Sequence, residues 1–115
     1  MYDSDKRKLL AALCHGAIFL STFVVSVGIP IAILLVSDDP VVKENAKESL
    51  NFHFNVWLYG VIIGALWFSV IGIPLAFLLL FPYFLFQWGP PVLAIIQVLG
   101  NPEQPYRYPF IFRIL

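Results

Sequence analysis

The chain has 115 residues, 60% hydrophobic and 12% charged, and its seven basic and seven acidic side chains cancel. Soluble domains carry about 25% charged residues, and with a mean hydropathy of +0.85 almost no room is left for a water-soluble domain. The neutral balance offers no basic surface to nucleic acid, and the single cysteine, Cys14, excludes an intrachain disulfide framework or a cysteine-built zinc site.

Lys6, Arg7 and Lys8 precede the first apolar run, as in a signal peptide. The run continues past signal-peptide length without an A-x-A-like cleavage site, so a retained anchor is expected. No charged residue falls between Leu9 and Ser37. One straight helix over 9–36 would be about 42 Å long, against about 30 Å of bilayer hydrocarbon. Ser21, Thr22, Ser26, Gly28 and Pro30 interrupt the run, and proline removes a backbone donor and clashes with the preceding turn. A break between Ser21 and Pro30 is predicted, leaving short helices over Leu9–Leu20 and Ile29–Val36. Charge placement agrees. As a single span, 9–36 would set Lys6, Arg7 and Lys8 against Lys43, Lys47, Arg107 and Arg113, which orients nothing. As a re-entrant hairpin it puts all seven basic residues on the cytoplasmic side, as lysine and arginine prefer.

Ser37-Asp38-Asp39-Pro40 predicts a helix start, with an aspartate as cap and Pro40 in the first turn. The helix expected over 40–70 begins amphipathic and becomes transmembrane near Leu50. Lys43, Lys47, Asn51 and Asn55 recur every four residues, and Glu44, Lys47, Glu48 and Asn51 form an overlapping stripe. Lys47, Glu48, Asn51 and Asn55 are the candidate site. They either tie the helix to its neighbours or line a polar crevice. His53 lies off the stripe and reads as packing. His15 and His53 could suggest a metal pair, but no HExxH and no carboxylate cluster accompanies them. No metal, cofactor or catalytic constellation is expected, and the chain does not read as an enzyme. Gly60 and Gly64, in GVIIG, permit close helix packing.

Gly72-Ile73-Pro74 predicts a turn, followed by a helix over 75–99 kinked at Pro82 and at Pro90-Pro91. Gln87 and Gln97 read as hydrogen-bonding groups within it. Gly100-Asn101-Pro102 stops the helix. In the tail, 100–115, Pro105 and Pro109 hold the chain extended. Tyr106 and Tyr108 suit an interfacial belt, and Arg107 and Arg113 suit headgroups. The tail reads as an interfacial anchor or, alternatively, as a strap for the helix that starts at Pro40. If Lys47 or Glu48 pairs with Arg107, the stripe and the tail form one clasp.

Ala46-Lys47-Glu48-Ser49-Leu50-Asn51-Phe52 and Pro105-Tyr106-Arg107-Tyr108-Pro109 resemble the paired motifs of a small bacterial membrane protein family of uncharacterised function. That family is similar to the Tic-twenty-like component of the chloroplast protein import machinery. Asn45, Ser49 and His53 depart from its usual pattern. The resemblance covers most of the chain. It implies a helical membrane domain of four helical segments and a role in protein translocation.

The expected fold is therefore all-α: a polytopic helical membrane protein, with a short N-terminal hairpin and two longer transmembrane helices in a single domain. The expected function is an integral membrane interaction protein assisting protein translocation or membrane-complex assembly, with an oligomeric small-solute channel or carrier as the alternative. Lipid, other membrane proteins or a translocating polypeptide, and further copies of the chain are the expected partners. The bacterial inner membrane is the expected location, with both termini cytoplasmic.

Overall fold

The computed structural model describes residues 3–19, 24–113 and 115. Among these the chain is all helical, with four α-helices and no strand. They are α1 (Ser4–Gly16), extended by a short 3-10 turn over Ala17–Phe19, α2 (Val24–Val36), α3 (Pro40–Phe68) and α4 (Ile73–Gly100). Ser21, Thr22 and Phe23, where part of the first break is expected, lie outside the described residues, as does Leu20, the expected end of the first helix.

α1 begins earlier than its apolar run. The Asp3 side chain accepts from Asp5 N at 3.0 Å and caps the helix, so Lys6, Arg7 and Lys8 form its first turns. α2 differs from the sequence expectation in the opposite sense: Pro30 lies inside the helix instead of ending a break. It sits in the second turn, where the only bond forgone is that to the carbonyl of Ser26, four residues back. The start of α1 adjoins the end of α2, since Lys6, Arg7 and Leu10 share a cavity of about 350 Å³ with Ala32, Ile33 and Val36. The two short helices are therefore antiparallel.

Asp39 caps α3 by accepting from Val41 N at 3.0 Å, with Pro40 in the first turn. At 29 residues, α3 is about 43 Å long. α4 runs unbroken through Pro82, Pro90 and Pro91. Each proline gives up one bond while the neighbouring turns keep theirs, so the helix carries on through all three. Among the described residues α3 and α4 are the two helices long and apolar enough to cross a bilayer.

The molecule measures 56 × 24 × 22 Å, and its core is at one end. Every buried residue of α3 lies between Val42 and Val56. There α1 and α2 both pack against it, and α1 with its 3-10 extension packs against the second half of α4; Gly16 approaches Ile95 and Phe19 stacks on Trp88 with ring centroids 5.4 Å apart. Beyond that level α3 and α4 continue as a bare pair. Their contact is close at Gly60, where a Cβ would meet the Tyr83 hydroxyl at 2.8 Å, and that hydroxyl donates to Val56 O at 3.0 Å. Gly64 faces open space. Gly60→Ala is expected to displace Tyr83 and cost about 1–3 kcal/mol, while Gly64→Ala is near neutral. Thermal unfolding of both variants in detergent checks this, and equal midpoints would remove Gly60 from the interface.

Candidate functional site

Asn45, Glu48, Asn51, Asn55 and Tyr59 follow one another at intervals of three or four along α3, and so share one face. Against that face lies the tail. Pro102, Pro105 and Pro109 keep residues 101–113 out of regular structure, so their backbone groups need partners from elsewhere. The α3 side chains supply them. Tyr106 N donates to Asn45 Oδ1 at 3.1 Å, and Tyr108 N donates to Glu48 Oε2 at 3.1 Å. The Tyr59 hydroxyl donates to Phe110 O at 2.8 Å. Asn55 pairs with both backbone groups of Phe112: Phe112 N donates to its Oδ1 at 2.8 Å, and its Nδ2 donates to Phe112 O at 2.7 Å. Leu115 N donates to Asn51 Oδ1 at 3.0 Å.

The order of these contacts gives the path. The tail descends from Asn45 to Tyr59, turns at Pro109-Phe110, and climbs back past Asn55 to Asn51. Phe110 has φ 59°, in the left-handed region that bulky residues rarely adopt. The hook is closed by Arg113, whose Nη2 donates to Tyr108 O at 2.6 Å.

Glu48 is the electrostatic centre. It is 3% exposed. Its Oε1 accepts from Arg113 Nε, and Arg107 Nε lies 3.5 Å from the same oxygen. The Arg107 side chain is 64% exposed, so solvent screens that pair strongly. Lys47 stands apart from the site, half-exposed and 3.6 Å from Glu44.

A second polar chain crosses from α1. Tyr106 N fixes the orientation of the Asn45 amide, because a backbone N–H has to find the oxygen. His15 Nε2, 2.7 Å from that oxygen, is then the protonated ring nitrogen. His15 Nδ1 in turn accepts from the Tyr108 hydroxyl at 2.7 Å. Burial pushes the Tyr108 phenol well above its ordinary range and holds it as a donor. Its ring stacks on Phe52 with centroids 4.3 Å apart. The Ser49 hydroxyl donates to Cys14 O. Both His15 nitrogens are thus engaged in hydrogen bonds. His53 Nδ1 is 2.7 Å from Ser49 O, and His53 Nε2 is a buried polar atom without a hydrogen-bond partner. No group of three or more His, Cys, Asp or Glu side chains suited to a metal ion gathers among the described residues.

The third polar contact ties the helix ends. Arg7 Nε donates to Asp39 Oδ2 at 2.7 Å, its Nη2 to Asp39 Oδ1 at 3.0 Å, and its Nη1 to Glu103 Oε2 at 2.7 Å. α1, the start of α3 and the start of the tail meet on one guanidinium. Burial pushes the Asp39 carboxyl up. The Arg7 hydrogen bond and the backbone N–H groups of Val41 and Val42 outweigh it and leave the carboxyl below its usual value.

Of the sequence candidates, Glu48, Asn51, Asn55, Tyr106 and Tyr108 come together, Arg107 sits at the rim, and Lys47 lies outside. Tyr106 and Tyr108 face inward, in contact with His15 and with each other, and do not form an interfacial belt. Asn45, Tyr59, His15, Arg113 and the Arg7–Asp39–Glu103 group are not among those candidates. Asn45 and Tyr59 extend the same three-and-four spacing, a signal that was present. Arg113 had none beyond being a charge among apolar neighbours. Asn55→Leu is expected to cost about 1–3 kcal/mol, because both backbone groups of Phe112 lose their partner in a partly buried setting. Faster amide exchange at Phe112 is the check, and unchanged exchange would mean that the tail is held without Asn55.

The model of the magnetosome magnetite crystal formation protein family, MamF/MmsF, matches residues 6–115. No curated protein and no solved structure matches the chain. The family match corrects the resemblance to the Tic-twenty-like import component. Both short motifs on which that resemblance stood lie inside the matched residues, and they form the internal contact between α3 and the tail. Such a contact specifies packing and carries no information about a translocated client.

Proposed function

Because the chain belongs to the magnetosome magnetite crystal formation protein family, we propose that it serves that process as an integral membrane assembly protein, without a catalytic step or a cofactor. α3 and α4 cross the bilayer, the α1–α2 hairpin enters it partway, and both termini lie on the cytoplasmic side. Its partners are lipid and other proteins of the same membrane. The observation that carries this reading is the division of the molecule. The polar ladder of α3 is turned inward and engaged by the tail, while the outer surface of the α3–α4 pair is apolar: Val61, Phe68, Phe77, Leu78 and Phe81 are each more than 60% exposed, a surface that suits hydrocarbon. Engagement of Asn51 and Asn55 by the tail weighs against the channel alternative, because no open polar path remains along α3.

Deletion of the chain in its host, scored by electron microscopy of magnetite crystals, tests the role. Fewer or smaller crystals are expected, with recovery on re-expression. Unchanged crystals would overturn the proposal. Alkaline carbonate washing of the membranes tests placement separately; release into the wash would show a peripheral protein.

A further inference from the structure

The two ends of the long axis differ in breadth. At the charged end, four helices and the tail stand side by side. At the other, beyond the point where the tail turns back at Tyr59, only α3 and α4 continue, from Gly60 to Phe68 and from Ile73 to Tyr83. The narrow end closes in a turn whose exposed side chains are apolar: Phe68 is 86% exposed, Val70 71% and Ile71 93%. No charged residue lies between Glu48 and Glu103.

The backbone N–H groups of this turn are bound from within. Ser69 N donates to Ala65 O at 3.1 Å, Val70 N to Trp67 O at 3.4 Å, Ile71 N to Ser69 O at 2.7 Å and Ile73 N to Val70 O at 3.2 Å. Gly72 N donates to the Ser69 hydroxyl at 3.0 Å. Val70 adopts φ 65° to close the tight Ser69–Ile71 bond. Gly72 has no room for a side chain, since a Cβ would lie 2.5 Å from Leu66 O. A turn in water has no need to bind each of its N–H groups internally. A turn in or against hydrocarbon does, because no water is there to take them.

We propose that the chain is a lipid-facing wedge that prefers highly curved bilayers, convex on the side of its charged end. The occupant of the bare α3–α4 surface is the lipid of the far leaflet. The near leaflet has to make room for four helices and a tail, the far leaflet for two. A bilayer bent away from the charged end supplies that difference in area, so the chain gathers on small vesicles and lowers the cost of forming them. This rests on the reading that α3 and α4 cross the membrane.

The test is reconstitution of the full chain from detergent into phosphatidylethanolamine–phosphatidylglycerol vesicles of several diameters. Orientation is read by protease access to the N-terminus before and after lysis. The charged-end-out fraction is expected to rise several-fold over the charged-end-in fraction as diameter falls, and to approach equality in large vesicles. Equal fractions at every diameter would overturn the wedge. So would crosslinking between copies through a cysteine placed at Leu78, which would mean that a second copy, not lipid, covers the narrow half. Carbonate extraction of the same vesicles separates the premises: a chain that washes off refutes the spanning reading, and a chain that stays in with no orientation bias refutes the wedge alone.

Discussion

Glu48→Ala is expected to release the C-terminal tail and to lower stability by about 3–5 kcal/mol, the usual cost of stripping one partner from a buried charge pair. Three groups lose their acceptor together: Arg113 Nε, Arg107 Nε and the buried Tyr108 N–H. Arg113, two-thirds buried, has no second carboxylate within reach among the described residues. Glu48→Gln separates charge from hydrogen bonding. It keeps an oxygen for Tyr108 N but not the charge for Arg113, so it should fall between wild type and Glu48→Ala. Arg107→Ala should do little, because that side chain is mostly solvated and exposed pairs contribute about 0–1 kcal/mol. Limited proteolysis of the C-terminus in detergent reads the result directly. If Arg107→Ala loosened the tail as much as Glu48→Ala, the centre of the clasp would lie at Arg107 instead.

The second large effect is expected at Arg7. Arg7→Met leaves Asp39 buried without its counter-charge and frees Glu103, and about 3–5 kcal/mol should again be lost. The double variant Arg7→Met, Asp39→Asn should recover part of it, since an asparagine can still cap α3. The wild-type pair also sets an acid limit. The Asp39 carboxyl is held below its ordinary value, so its contribution is present at pH values above the carboxylate range. That contribution is lost as pH falls through the depressed value, because the unfolded chain takes up the proton more readily. Wild type should therefore lose more stability on acidification than the double variant, measured as the drop in unfolding midpoint between neutral and acid pH. Parallel drops would show that Asp39 is not the responsible group.

Helix starts were legible where local chemistry decides them. Ser37-Asp38-Asp39-Pro40 holds a capping side chain and a first-turn proline, and both act within three residues. The continuity of α2 and α4 across their prolines was harder to read, because proline is costly only in proportion to the bonds it removes. Pro82, Pro90 and Pro91 each remove one from a long helix that keeps the rest. The tail was harder. Its Tyr and Arg residues have the composition of an interfacial anchor, and only the three-dimensional path shows that the backbone, more than the side chains, is what α3 reads. Backbone groups are the same at every position, so sequence carries no mark of which ones will be bound. The visible sign lay on the other partner, in a polar ladder with more amides than helix packing alone requires.

The hook has a bearing on how the protein is made. The residues of α3 and those of the tail that bind each other are 51 to 65 positions apart. With synthesis at about 5–20 residues per second, α3 leaves the ribosome seconds before the strand that fills its polar face exists. The insertion machinery thus receives a helix with Asn45, Glu48, Asn51 and Asn55 still open, and a stretch translated later closes it. Assembly therefore includes a late step, and a nascent chain stalled before residue 106 would be left with an unmet polar seam along α3.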